Sequence, residues 1–405
     1  ISSVFSYVQG AGQTFTFTYD LLGRLASVQD PLGKSTAYSW NSLGQLLTQT
    51  DASGRITSYG YDTAGRRVER QLPGISQEKL TYDASGQLIS RQDFDGTTTS
   101  YEYDSAARLA KVHRVDGTQS LTYDSWGNPA SWADTADGSL SRSYDAGGRV
   151  NSESTSHGVD FGAGANSLST SIAYQWDANG NRTQIRNSNL SQTTQASYDA
   201  LNRLTSVTDA SSAVTSFSYD PAGNRTLLKR QDGGTTEYRH NAANQIIGIT
   251  HKKADGGVLA QFDYTLDAAG RRTEAVEFIQ AASPVRRTVQ YSYDAGGRLV
   301  SESIAQTQPS ALNQTITYQH DAVGNRTLRT VSGGVSQSTN YEYDANDRLT
   351  KTIDSVSGIT TYTWDARGNL ASKTQGANTT TYTWRSDNRL LSISNASVKI
   401  FYGYN

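Results

Sequence analysis

Five histidines, 38 Asp and Glu residues and a recurring arginine are the groups in this chain that could do chemistry. The histidines, His113, His157, His240, His251 and His320, show no i,i+4 spacing of the kind that places two imidazoles on one metal. Cysteine is absent, which removes thiol nucleophiles, disulfides and cysteine-ligated zinc. A glycosidase needs two carboxylates converging across a cleft. Most aspartates here stand instead at turn positions, where backbone N–H groups occupy them. Gly162-Ala163-Gly164 lacks the third glycine and the strand-to-helix setting of a nucleotide loop. No catalytic, cofactor-binding or metal-binding residue is therefore expected, and no enzyme.

Two further motifs have a bland reading that wins. Asn-Arg-Thr at Asn181, Asn224 and Asn325 matches a glycosylation acceptor, yet each copy belongs to a repeated Gly-Asn-Arg-Thr turn. Arg24, Arg66, Arg149, Arg271 and Arg298 could form a glycan-binding row, because planar guanidinium groups pair and stack well. Pairing and packing within a sheet accounts for them more simply.

Those arginines belong to a repeat that runs almost end to end. Tyr-Asp-x-x-Gly-Arg/Asn, with Trp, His or Leu replacing Tyr in some copies, occurs seventeen times from Tyr19 to Trp384 at intervals of 20 to 32 residues. The clearest turn copies are Tyr19, Asp20 and Gly23; Tyr61, Asp62 and Gly65; Tyr82, Asp83 and Gly86; Tyr144, Asp145 and Gly148; Tyr219, Asp220 and Gly223; and Tyr293, Asp294 and Gly297. The glycine slot holds Gly twelve times, Asn three times (Asn202, Asn244, Asn388), Asp347 and Ala107. Apart from alanine, these residues tolerate positive φ. Asp at the first turn position with a left-handed residue three places on describes a type I hairpin turn.

A second turn follows about ten residues later in many copies, as in Asp30-Pro31-Leu32-Gly33, Asp51-Ala52-Ser53-Gly54, Asp93-Phe94-Asp95-Gly96 and Asp232-Gly233-Gly234. Each repeat is thus two strands and two turns. Between turns, aromatics alternate with Thr or Ser, as in Phe15-Thr16-Phe17-Thr18-Tyr19, which marks antiparallel strands with one mildly polar face.

The fold expected is all-β: a long antiparallel β-hairpin ribbon that must wind up, because open twisted sheets rarely exceed about ten strands. At roughly 4.8 Å per strand the ribbon would run on the order of 160 Å. Residues 1–18 are expected as an irregular lead-in strand and 19–405 as one continuous run of repeats. Longer insertions fall near 150–175, containing His157 to Ser171, and near 240–320; the extra residues are expected to lengthen hairpins. A propeller would need too many blades, and a parallel β-helix has no use for a hairpin turn at every strand end.

Composition agrees. The chain has 405 residues, a net charge of -2, 35% hydrophobic and 18% charged residues. The charge balance excludes a nucleic-acid binder, and no apolar run is long enough for a membrane span. With 24 Tyr, 9 Phe and 6 Trp the chain should fold, though around little conventional core. Methionine is absent, so Ile1 is expected to follow a processing or excision point in a longer chain. The opening decapeptide lacks the basic and apolar regions of a signal peptide.

These YDxxGR copies, their spacing and the second turn resemble the Rhs/YD-repeat family, which includes the shells of bacterial Rhs polymorphic toxins, the C components of Tc toxins, and teneurins. The resemblance implies a ribbon spiralling into a hollow shell, partial here, that encloses and protects a C-terminal toxin domain until delivery. It further implies, as partners, that toxin domain, the remaining shell repeats and a secretion or delivery apparatus, and a bacterial protein delivered to the cell exterior or a target cell, in competition or virulence. No terminal Asp-Pro cleavage motif is present: Asp30-Pro31 and Asp220-Pro221 lie inside ordinary repeats. The alternative is a carbohydrate-binding or adhesion module, since repeated aromatic hairpins also build sugar-binding solenoids.

Overall fold

The computed structural model describes residues 4–9, 13–75, 77–157, 169–308 and 312–403. These residues form thirty-six strands and no helix. Within each unit, consecutive strands pair antiparallel, as the alternation and the hairpin turns require. Gln13–Tyr19 pairs with Leu25–Gln29, which pairs with Ser35–Trp40, which pairs with Leu46–Thr50. Residues 1–18, expected as a single irregular strand, contain Val4–Gln9 and most of Gln13–Tyr19, paired with each other from Val4↔Thr18 to Gln9↔Gln13.

The register sorts the side chains onto two faces. Phe17 lies opposite Val28, and Tyr38 opposite Gln49, on one face; Thr18 lies opposite Ser27, and Ser39 opposite Thr48, on the other. On this second face a hydroxyl pair recurs beside the repeat turn. Thr18 with Ser27, Ser39 with Thr48, Thr122 with Ser131, Ser143 with Ser152, Thr363 with Ser372 and Thr383 with Ser392 are hydrogen-bonded at 2.6–2.8 Å. Such pairs each add a few tenths of a kcal/mol to roughly 1 kcal/mol to a sheet.

Very little is buried. Among the described residues, Phe94, Val112, Ala275, Val289 and Val331 are the buried hydrophobic ones, while buried polar residues include Glu78, Asp134, Asp137, Thr236, Thr339, Thr360, Arg385 and Ser392. Stability must therefore come mainly from the backbone ladder and polar networks rather than from an apolar interior.

The chain divides into two compact units. The first comprises residues 1–100, 265–275 and 287–400; the second comprises 101–264, 276–286 and 401–405. In the second unit the strands from Leu109–Arg114 to Ile246–Lys252 pair in chain order. Much of the insertion from His157 to Ser171, residues 158–168, lies outside the described residues. In the stretch near 240–320 the extra residues go into the strands themselves. Val258–Leu266, Val285–Tyr293 and Leu312–His320 each have 9 residues and Leu299–Gln308 has 10, against 5 or 6 in the strands from Leu25 to Tyr61.

Candidate functional site

The repeated turn is the feature on which residue chemistry concentrates. At Asp20, the N–H of Gly23 donates to the Asp20 carbonyl at 3.0 Å, and the Asp20 N–H to the Arg24 carbonyl at 2.8 Å. The Asp20 carboxylate accepts from the N–H of Leu22 and of Arg24, both at 2.9 Å, and from Arg24 Nε at 2.7 Å. This is a type I turn closed by a left-handed residue. The equivalent bond to Asp62, Asp83, Asp145, Asp220 and Asp294 comes from Gly65, Gly86, Gly148, Gly223 and Gly297, whose φ lies between 75° and 89°. Asn202, Asn244, Asp347 and Asn388 occupy the same slot at φ 60–64°, and so does Ala107 at 63°.

In many copies the aromatic that precedes the aspartate fastens one repeat to the one before. Tyr61, Tyr82, Tyr144, Tyr219 and Tyr293 donate their hydroxyls to the carbonyls of Leu46, Arg67, Pro129, Leu204 and Arg272 at 2.7–3.0 Å. Where the slot is Trp, the indole takes over: Trp40 Nε1 reaches the Leu25 carbonyl at 2.7 Å and Trp364 Nε1 the Leu349 carbonyl at 2.8 Å. Tyr19, the first copy, stands opposite Leu25 at the bulge.

The residue after the glycine slot fastens forward. Arg66 donates to Asp62 through Nε at 2.7 Å and to the Asp83 carbonyl through Nη1 at 2.9 Å, while its guanidinium lies 4.9 Å from the Tyr82 ring centre. Arg149 reaches the Asp177 carbonyl, Arg203 that of Asp220 and Arg298 that of Asp321 in the same way. Where the slot is Asn the reach is shorter. Asn181, Asn224, Asn325 and Asn369 each bond their own aspartate, then donate to the side chain in the next left-handed slot: Asn202, Asn244, Asp347 and Asn388. The Asn-Arg-Thr asparagines at 181, 224 and 325 are therefore engaged in turn bonds.

These bonds set the electrostatics. Asp62 is held below its ordinary value of 3.8, first by the Arg66 backbone N–H and then by the Arg66 guanidinium, against a desolvation that raises it. Asp145 is lowered first by the Arg149 side chain. In the last copy, Trp384 is followed by Arg385 instead of Asp, and Asp387, two places on, supplies the carboxylate that Arg389 Nε meets at 2.8 Å.

The second turns close alike at Asp30, Asp51 and Asp93, where Gly33, Gly54 and Gly96 donate to the aspartate carbonyls. In the fourth, Arg230 rather than Asp232 is the first turn residue: the Gly233 N–H reaches the Arg230 carbonyl, and Asp232 accepts from the Gly234 N–H.

Within the first unit these second turns touch YD turns far along the chain. Arg55 pairs with Asp347 at 2.8 Å, Arg367 Nε donates to Asp95 at 2.7 Å and Asn346 to the Pro73 carbonyl at 2.8 Å. Gln13, at the first turn, donates to the Ala295 carbonyl, and Leu32 lies against Gly296. Partners are 264 to 292 residues apart. Sequence spacing gave no signal for these contacts.

Elsewhere, no metal-binding cluster occurs among the described residues. His113 meets Glu102 at 2.6 Å and His251 meets Thr236 at 2.9 Å, each a cross-strand pair. In the second unit a groove of about 450 Å³ is lined by Arg142, Arg149, Val150, Glu153, Tyr174, Trp176 and Arg182. Burial and a hydrogen bond to Glu153 push the Tyr174 phenol up to about 12. Arg182 and Arg149 lie over the Tyr174 and Trp176 rings, covering faces that a sugar would stack on.

Comparison with known proteins agrees with this geometry. The RHS repeat model matches residues 40–74, 82–119 and 198–233, and the teneurin YD-shell model matches residues 271–405. No curated protein matches. Among solved structures, TcdB2-TccC3-TEV superposes with a TM-score of 0.64 at 16% identity, over 97% of this chain and 27% of that one. A Photorhabdus luminescens Tc holotoxin pore gives 0.60 at 15% identity over 96% of this chain and 27% of that one. TcdB2-TccC3 without its hypervariable C-terminal region gives 0.56 at 17% identity, over 96% and 26%. These likenesses are of fold, and the chain spans about a quarter of those proteins.

Proposed function

Because the chain belongs to the Rhs/YD-repeat family, we propose that it is part of the wall of a hollow, non-catalytic toxin shell. In this reading the wall encloses a toxin domain C-terminal to it and keeps it from its surroundings until a delivery apparatus carries it to a target cell.

One observation carries the reading: two distant stretches of ribbon within the first unit meet edge to edge through Arg55–Asp347 and Asp95–Arg367. A ribbon whose edges bond each other while both faces stay largely free of a core is built to make wall area. The near absence of buried apolar side chains supports the same role.

The test is limited proteolysis of the full-length protein. A C-terminal segment that survives protease while the repeats are intact, and is digested once they are unfolded, is the expected result. Immediate digestion beside intact repeats would refute the container role. A glycan array separates the adhesion reading, which requires saturable binding that the covered Tyr174 and Trp176 rings do not favour.

A further inference from the structure

Every contact described across the line where the stretch 13–100 meets the stretch 287–400 is made by a side chain. Arg55 reaches Asp347 and the Asp344 carbonyl, and Arg367 reaches Asp95. Asn346 and Gln13 each donate one amide bond to a carbonyl, and Leu32 lies against Gly296. Within either stretch, by contrast, neighbouring strands are joined by backbone ladders, such as Thr16↔Gln29 to Thr18↔Ser27 and Thr315↔Ser332 to Gln319↔Leu328.

The ions that cross the line are also held on their own sides of it. Arg55 has Asp51 on its own stretch at 2.6 Å, and Asp347 has the Nδ2 donor of Asn325. Asp95 accepts from the N–H and the hydroxyl of Thr97 at 2.9 and 2.6 Å, and Arg367 donates to the Arg385 carbonyl at 3.3 Å. Separation therefore strands no bare charge, the event that makes breaking a buried pair costly. Phe94, the buried apolar residue of this edge at 6% exposure, has the Arg70 guanidinium of its own stretch over its ring at 5.0 Å. The crossing carboxylates are partly exposed, Asp347 at 44% and Asp95 at 24%, so dissolved ions screen both pairs.

We infer that this line is a parting line: the two stretches separate there and close again while the ladders on either side stay intact. The event is a sub-global opening of the first unit, with salt as its control. It rests on contacts inside that unit and does not depend on the container reading. For a wall, it is a way to open without unfolding a strand.

Distance measurement between nitroxide labels on the whole chain, which has no cysteine of its own, tests this. Ser53→Cys with Ala345→Cys places labels on exposed residues of the turns at Arg55 and Asp347, one on each stretch. Ser53→Cys with Ser85→Cys keeps both labels on one stretch as a control. From about 0.05 to about 1 M sodium chloride, a longer-distance population of the first pair should grow about fivefold and shrink again on dilution. The control distance and the circular dichroism spectrum should not change. Asp95→Asn with Asp347→Asn removes both crossing charges and keeps the turns, since Asn202, Asn244 and Asn388 hold the same left-handed slot. In that background the longer population should already be raised at low salt. A cross-line distance that does not change with salt, a charge-free variant no more open than its parent, or opening that comes only with loss of the control distance or of the strand signal would overturn the inference.

Discussion

Asn181 donates through Nδ2 to Oδ1 of Asn202, 2.8 Å away and in the left-handed slot of the next turn. The bond makes Asn202 more than a residue that tolerates positive φ. Asn202→Gly should be near neutral, because relief of left-handed strain offsets a lost bond of about 1 kcal/mol. Asn202→Ala loses the bond and keeps the strain, so it should cost about 1–2 kcal/mol in denaturant unfolding. Gly148 follows Asn128, the one Asn slot without such an acceptor, and Gly148→Asn should be tolerated within about 0.5 kcal/mol by gaining it.

That pairing also measures how far the sequence could be read. The strands, both turn classes and the left-handed slots followed from local alternation and residue type, since each depends on neighbours within one repeat. The Asn181–Asn202 coupling exists in the sequence as a correlation between consecutive copies, masked because Asn at a left-handed slot already has a sufficient local reason. The Arg55–Asp347 contact could not be read at all. Its partners are 292 residues apart and their meeting depends on ribbon curvature, which no single repeat encodes. Ala107 is the converse case: the pattern required φ > 0 there against alanine's preference, and the backbone takes 63° regardless.

Ala107 therefore marks removable strain. Ala107→Gly should raise stability by about 1 kcal/mol, seen as a higher denaturant midpoint, because glycine adopts the observed φ without a Cβ penalty. An unchanged or lower midpoint would mean that the turn is not under strain.

Arg298 bonds Asp294 at 2.7 Å and the Asp321 carbonyl at 3.0 Å, joining two repeats through one planar group. Arg298→Ala should cost about 2 kcal/mol. Arg298→Lys should recover less than half, since an ammonium lacks the fork that meets both acceptors. Equal stability of the lysine variant and wild type in urea would show that charge alone suffices.

Acid should act on many turns at once. Asp62, Asp104, Asp145, Asp199 and Asp294 are all held below 3.8 in the folded chain. A carboxylate with a depressed folded pKa contributes stability that is present above its unfolded value and lost as pH falls through the folded one. Thermal midpoints should thus be flat from neutral pH down to about pH 5 and fall steeply below about pH 4. Asp62→Asn together with Asp145→Asn should shrink that fall; an unaltered acid slope would remove the turn carboxylates as its cause.

His320 fills an aromatic slot, but its ring does not make the bond to the preceding repeat that Tyr293 makes to the Arg272 carbonyl at 2.8 Å. Desolvation, with the neighbouring Arg298 charge, lowers its pKa below 6.5. Folding therefore favours the neutral ring, and the stability it gives at neutral pH is lost as pH drops from 6.5 through the folded value. His320→Tyr replaces this with a phenol that stays neutral across the range and can donate to a backbone carbonyl, worth about 1 kcal/mol. The variant should melt higher than wild type at pH 7, and the gap should widen toward pH 5. A gap that is constant with pH would leave the tyrosine bond standing and remove His320 protonation from the account.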